Sequence, residues 1–141
     1  MSEFFAAASM LQNLRRRTAK TYSLKSSELA VLIAVSKLEP SPSLRQVADH
    51  LHIAQPNVTT DIGGLVRRNL VMKTADHSDG RAWKLGLTAK GDRLCAQLSD
   101  DLRAVNDRLF SGLSRSEMAL VMRMFEKILT EGRTLISEGV D

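Results

Sequence analysis

The sequence predicts a mainly α-helical protein with one small β-hairpin, and three observations carry that class. Apolar residues recur every three or four positions in the N-terminal half and again in the last third. The period falls to two only between Val71 and Leu87. The three prolines, Pro40, Pro42 and Pro56, all stand where helices would start or stop.

Taken in order, a first helix is predicted from about Phe4 to Lys20, with Phe4, Ala8, Leu11 and Leu14 at helical spacing. Arg15, Arg16 and Arg17 lie near its end, where positive charge suits the helix dipole. Ser26 or Ser27 can cap a second helix, and Leu29 to Val35 is apolar without interruption. A helix apolar all round belongs at the centre of a core. Ser43 and Gln46 form an S-x-x-Q capping box that opens a third helix, with Leu44, Val47, Ala48 and Leu51 on one stripe. Pro56 suits the first position of a fourth helix and pushes Gln55 into an extended cap. Val58, Ile62, Leu65 and Val66 would be its buried face, and Asn69 can take the left-handed conformation that ends it.

Strands are expected over Val71–Ala75 and Arg81–Leu87, joined by a polar tip at residues 76–80. Trp83 would pack within the hairpin. Downstream, Leu94, Leu98, Leu102, Val105 and Leu109 form a seam suited to another helix. Ser114 and Glu117 make a second capping box, opening a helix with Val121, Met124, Phe125, Ile128 and Leu129 that can run to about Ile136.

Composition narrows the classes. A chain of 141 residues fits one globular domain. It has no membrane-length apolar run and no basic start followed by an apolar segment, so the expectation is a cytoplasmic protein without a membrane partner. A single cysteine, Cys95, excludes an internal disulfide framework and is expected to be a packed, inert thiol. His50, His52 and His77 lack partnering cysteines or acids at metal-ligand spacing, so no metal and no cofactor is expected. No spacing brings together a nucleophile, a base and a stabilising group, which excludes an enzyme. Charge is uneven: residues 1–42 carry 6 basic and 3 acidic groups, residues 43–91 carry 7 and 4, and residues 92–141 carry 7 and 9. The positive excess therefore lies upstream of Asp92, where a nucleic acid would be met.

Two short helices joined by a tight turn and followed at once by a hairpin give the order of a winged helix-turn-helix. The run Asp79-Gly80-Arg81-Ala82-Trp83-Lys84-Leu85-Gly86-Leu87-Thr88-Ala89-Lys90-Gly91 resembles the wing pattern D-x-R-A-x-x-V-x-L-T-x-x-G of the multiple antibiotic resistance regulator (MarR) family, with leucine for valine. The resemblance extends over nearly the whole chain. It implies one domain over 1–141, with a DNA-binding region at 26–91 and dimerisation helices at 1–22 and 92–141. It further implies a homodimer, usually a repressor, bound to double-stranded DNA at a pseudopalindrome and often released by a small aromatic or phenolic ligand.

Carried over residue by residue, Gln55, Asn57, Thr59 and Thr60 are the exposed early residues of the recognition helix. Gln and Asn can pair with adenine, and threonine can donate to phosphate or touch a thymine methyl. Arg81 would enter the minor groove or hold a phosphate, with Asp79 orienting the loop. Arg45, Arg67, Arg68, Lys73 and Lys84 would neutralise backbone charge. A ligand site would draw on Leu11, Arg15, Tyr22, Leu29 and Ile33, apolar walls with a cation and a hydroxyl. Three positions depart from the family pattern: Thr60 stands for the common arginine, His52 for the turn glycine, and Gly63 and Gly64 for charged residues. The glycines mark a bend, a close approach of backbone to DNA, or drift tolerated by packing. The competing function is a winged-helix protein-interaction module without DNA binding.

Overall fold

A computed structural model describes residues 1–38, 40–75 and 83–139. The elements follow as α1 (Ser2–Thr21), α2 (Ser26–Lys37), α3 (Leu44–Leu51), α4 (Gln55–Arg67), β1 (Val71–Ala75), β2 (Trp83–Leu87), α5 (Ala89–Leu109) and α6 (Arg115–Ser137). They fall into two compact units, Met1–Arg103 and Ala104–Asp141.

In the first unit α2 is the central helix, as its uninterrupted apolar run requires. Leu29, Val31 and Leu32 are fully buried there, packed in one cluster with Val47 and Ala48 of α3, Val58, Ile62 and Leu65 of α4, and Leu70, Val71, Leu85, Cys95 and Leu98. Its cap differs from expectation. The N-cap is Lys25, whose amide donates to Glu28 Oε2 at 2.9 Å. Ser27, left without a capping task, donates its hydroxyl to Asp61 of α4 at 3.1 Å.

The S-x-x-Q box at α3 forms as read: Gln46 N donates to Ser43 Oγ at 3.2 Å and Ser43 N to Gln46 Oε1 at 2.8 Å. α3 and α4 then end by one device. His52 and Asn69 both adopt the left-handed conformation, at φ 55° and 56°, and the residues after them, Ile53 and Leu70, donate back to Ala48 O and Leu65 O. His52 thus takes the conformation for which glycine is the usual choice. α4 itself starts one residue before Pro56, with Ala54 as N-cap.

β1 and β2 pair antiparallel from Val71↔Leu87 to Ala75↔Trp83. A further rung joins them to α3: Ser43 bridges Lys84, and Leu85 N donates to Pro42 O at 2.9 Å. The hairpin is therefore pinned to the start of the helix-turn-helix. Trp83 does not pack as expected; it is 49% exposed, because its cross-strand partner at the outer end of the described hairpin is the small Ala75.

Cys95 is buried, with its thiol 3.8 Å from Leu32 O, and burial pushes its pKa up from the ordinary value. Folding therefore favours the protonated thiol. The contribution is intact below the unfolded thiol's pKa and is lost as pH rises through the folded one. We expect iodoacetamide at neutral pH to leave the native chain unmodified over hours and to label it fully in denaturant, as read by mass spectrometry. Rapid labelling of native protein would contradict this placement.

The second unit holds the end of α5 and all of α6. α6 opens on the expected box, with Glu117 N donating to Ser114 Oγ at 3.3 Å and Ser114 N to Glu117 Oε2 at 2.7 Å. None of its residues is buried, although Leu120, Met122, Met124, Phe125, Ile128 and Leu129 are large and apolar.

Candidate nucleic-acid interface

α4 divides sharply into two faces. Val58, Asp61, Ile62, Gly64 and Leu65 are buried, whereas Gln55, Asn57, Thr59 and Thr60 are exposed on the first turns. Asp61 is the only carboxylate on this helix, and it is turned inward onto Ser27. The outward face thus carries amides and hydroxyls with no negative charge. Sequence reading passed over Asp61; its place on the Val58–Ile62–Leu65 side of the helical period was the available signal.

The threonine hydroxyls are already committed. Thr59 Oγ1 donates to Gln55 O and Thr60 Oγ1 to Pro56 O, each at 3.1 Å. The expected donation to phosphate is therefore replaced: each residue offers its lone pairs and its methyl outward. Ala54 makes no side-chain cap bond, so the N-terminal end of α4 keeps its positive dipole uncapped by any side chain.

The predicted cations are less uniform. Arg45 is exposed on α3 and lies 3.8 Å from Asp49, a solvent-screened pair one helical turn on. Arg67 is exposed, with its guanidinium laid back along Gly63 and Gly64. Arg68 has partners within the chain. Its guanidinium donates to Ser23 O at 2.8 Å and Tyr22 O at 3.1 Å, tying the end of α4 to the α1–α2 turn. Lys73 and Lys84 occupy adjacent rungs, opposite Leu85 and Thr74 respectively, so they project from opposite faces of the hairpin. Asp79, Arg81 and the rest of the wing tip lie outside the described residues.

Gly63 and Gly64 do not interrupt α4, which is helical from Gln55 to Arg67. Their reasons differ. A Cβ on Gly64 would stand 2.6 Å from Glu28 Oε1, the buried carboxylate of the α2 cap, so this glycine lets α2 and α4 approach. A Cβ on Gly63 would meet Arg67 Nη1 at 3.6 Å, an ordinary contact. Gly63→Ala should therefore stabilise the chain by about 1 kcal/mol through helix propensity. Thermal denaturation followed by circular dichroism should show Tm raised by a few degrees. A lower Tm would mean that the Gly63 site is tighter than this geometry allows.

The ligand residues predicted from sequence do not form one cleft. Leu29 is fully buried in the core, because it belongs to the central helix. The Tyr22 hydroxyl donates to Asp101 Oδ2 at 2.6 Å, and that carboxylate, as acceptor, raises the Tyr22 pKa. Leu11 and Ile33 are half-buried, and Arg15 lines a cavity between α1 and α2.

One junction that the sequence reading left unexplained holds the hairpin to α5. Thr88 N donates to Leu70 O at 3.1 Å and Thr88 Oγ1 to Asn69 O at 2.7 Å, while Thr88 Oγ1 accepts from Gly91 N at 3.0 Å. Lys90 Nζ adds a bond to Arg68 O at 3.0 Å. The L-T-x-x-G end of the wing pattern is thus a structural joint.

A capped helix-turn-helix, a hairpin pinned to its start and an acid-free exposed face on its second helix define the winged helix-turn-helix class. Residues 24–83 match the model of the MarR family. Members of that family are transcriptional regulators, not enzymes. Among solved structures, a MarR transcriptional regulator from Methanosarcina mazei Go1 superposes with TM-score 0.81 at 20% identity, covering 96% of this chain and 99% of that one. A second transcriptional regulator is 26% identical, with TM-score 0.78 over 94% and 98% of the two chains. BpsR of Bordetella bronchiseptica, whose DNA binding is regulated by 6-hydroxynicotinic acid, is 22% identical, with TM-score 0.78 over 90% and 96%. Among the described residues, no helix is long and apolar enough to cross a membrane, and no group of three or more His, Cys, Asp or Glu is placed to hold a metal.

Proposed function

We propose that this protein is a cytoplasmic, sequence-specific DNA-binding transcriptional repressor acting as a homodimer on a pseudopalindromic operator. The observation that carries the reading is α4: four exposed polar side chains on its early turns, with its only carboxylate turned away into the core. Gln55 and Asn57 would read base edges, Thr59 and Thr60 would accept from bases or meet thymine methyls, and Arg45, Arg67, Lys73 and Lys84 would neutralise phosphates. Asp79 and Arg81 keep their proposed place at the wing tip. In this reading the whole chain is one functional domain, residues 26–91 being the reader and 1–22 and 92–141 the dimerisation helices. Its two recognition helices would enter successive major grooves about 34–36 Å apart. Release by a small ligand, an aromatic or phenolic acid in the family pattern, completes the proposal.

Trp83, the only tryptophan, is half exposed on the hairpin and serves as a built-in reporter. Titrating the chain with DNA fragments from around its own gene should change Trp83 emission saturably and select one fragment. Asn57→Ala should then alter base preference by about 1–3 kcal/mol at one position of each half-site. Lys73→Ala should instead weaken all sequences and reduce the logarithmic salt slope by about 0.9 per site. Equal affinity for every fragment, unaffected by Asn57→Ala, would count against sequence-specific recognition by α4.

A further inference from the structure

Tyr22 is the only tyrosine of the chain, and it holds two elements by two different groups. Its hydroxyl donates to Asp101 Oδ2 of α5 at 2.6 Å, a short bond of the kind that a charged acceptor strengthens. Its carbonyl accepts from Arg68 Nη2 at 3.1 Å, and Ser23 O accepts from Arg68 Nη1 at 2.8 Å, which fastens the end of α4. The turn makes both carbonyls available. Ser23 is left-handed at φ 55°, and Ser23 N donates to Lys20 O and Leu24 N to Ala19 O, so α1 closes without using the carbonyls of Tyr22 and Ser23. Ala19 and Leu24 on either side are buried, which fixes the turn to the core.

These bonds close a triangle. Lys90, in the first turn of α5, donates to Arg68 O at 3.0 Å; Arg68 donates to the α1–α2 turn; and Tyr22 of that turn returns to α5 at Asp101. Asp101 stands about 15 Å along the helix from Gly91, the residue set against the Leu70 backbone. Among the described residues, no hydrogen bond further along α5 ties it to another element of the first unit. Cys95 and Leu98 pack α5 onto the core between these two points, but apolar contacts are not directional and let a helix tilt. A closed triangle of hydrogen bonds resists that tilt. α5 runs on to Leu109, about 27 Å beyond Gly91, and a tilt of about 7° displaces that end by about 3.3 Å, close to the rise of one base pair.

We propose that Tyr22 is a positioning residue for operator choice: through Arg68 and Asp101 it holds α4 at one angle to α5, and thereby sets the half-site spacing that the dimer accepts. The proposal rests on the regulator reading, in which α5 leads into the dimer contact, and adds to it a residue that acts through α4 rather than on DNA. An operator with one base pair inserted or removed asks each α4 to shift and turn against its own α5. The Tyr22–Asp101 bond then has to break, once in each protomer. Loss of a hydrogen bond to a charged group, taken over two copies, is large enough for a discrimination of about tenfold or more.

The test uses the DNA fragment selected by the Trp83 titration and two versions of it, with one base pair inserted or removed at the centre. Wild type should prefer the matched fragment clearly over both. Tyr22→Phe, which removes the hydroxyl and keeps the ring, should bind the matched fragment within about threefold of wild type and lower the preference by about tenfold. It should do so by binding the altered fragments more tightly than wild type does. That gain separates positioning from damage to the fold, which weakens every fragment alike. Asp101→Asn keeps an acceptor oxygen and should retain the wild-type preference. Alkaline ultraviolet titration reads the bond itself without DNA: the Asp101 carboxylate as acceptor raises the Tyr22 pKa above its ordinary value, and Asp101→Ala should lower it. An ordinary titration of Tyr22, the same preference in wild type and Tyr22→Phe, or a wild type that binds all spacings equally would overturn the proposal while leaving the regulator reading in place. Binding of none of the fragments would overturn the regulator reading and the spacing role together.

Discussion

Replacing Gly91 by alanine should destabilise the first unit more than the same change at any other glycine among the described residues. Gly91 is buried in the first turn of α5, and a Cβ there would lie inside the contact radius of Leu70 O and 2.9 Å from Leu70 C. The obstacle is backbone, so no rotamer change relieves it. Leu70 cannot withdraw cheaply, because its carbonyl accepts from Thr88 N and its amide donates to Leu65 O at 2.9 Å, which closes the end of α4. Overpacking of well-filled cores costs about 1–3 kcal/mol, and a clash between backbones belongs at or above the upper end. We expect a loss of about 3 kcal/mol and a fall in Tm of roughly 10 °C. Thr88→Ala is the graded comparison. It removes the hydroxyl that bridges Asn69 O and Gly91 N, and should cost about 1 kcal/mol, as loss of a cap does. Thermal or denaturant unfolding of the two variants provides the measurement. A Gly91→Ala protein as stable as Thr88→Ala would show that the joint slides, and that the glycine is not held by Leu70.

The same joint shows what a linear sequence carries and what it withholds. Periodicity exposed all six helices and the hairpin, and the boxes at Ser43 and Ser114 appeared where the S-x-x-Q and S-x-x-E spacings placed them. Asn69 ended α4 in the left-handed conformation that its side chain tolerates. These are local effects, set by residues within one turn of each other. The rung between Ser43 and Lys84 is not local; one bridge has no period, and only the folded chain brings Pro42 to Leu85. The contacts of Arg68 were hidden for a related reason. A charge in sequence reads as exposed, yet this one follows Arg67 by 100° of helix turn and swings onto the carbonyls of Tyr22 and Ser23. Leu29 failed as a ligand wall because the all-apolar run that marks α2 as central also removes its leucines from any open cleft. The outward residues Gln55, Asn57, Thr59 and Thr60 were legible, since they alternate with Val58 and Ile62 on a helix.

Phe125→Asp should separate the proposed dimer and, with it, abolish tight operator binding. α6 presents Leu120, Met122, Met124, Phe125, Ile128 and Leu129 in ten residues, and these point in several directions around the helix. A helix apolar round most of its circumference is stable in water only when several faces are covered. Within its own unit none of its residues is buried, so a second copy is the occupant we propose, joined by the seam that continues down α5. Aspartate at 125 would place a carboxylate in that apolar contact twice, once from each protomer. Taking about 2 kcal/mol for each lost phenylalanine, two copies shift the dimer dissociation constant by roughly a thousandfold. Operator affinity should fall by about 100-fold or more, because half-sites bound singly lose the effective concentration that linkage supplies. Phe125→Leu keeps an apolar side chain of similar size and should retain both dimer and DNA affinity. Sedimentation equilibrium and gel shift on the three proteins are the measurements. A wild-type chain that is monomeric at micromolar concentration would overturn the dimer. A Phe125→Asp variant that remains dimeric and binds its operator as wild type does would place the dimer contact on another face of the helix.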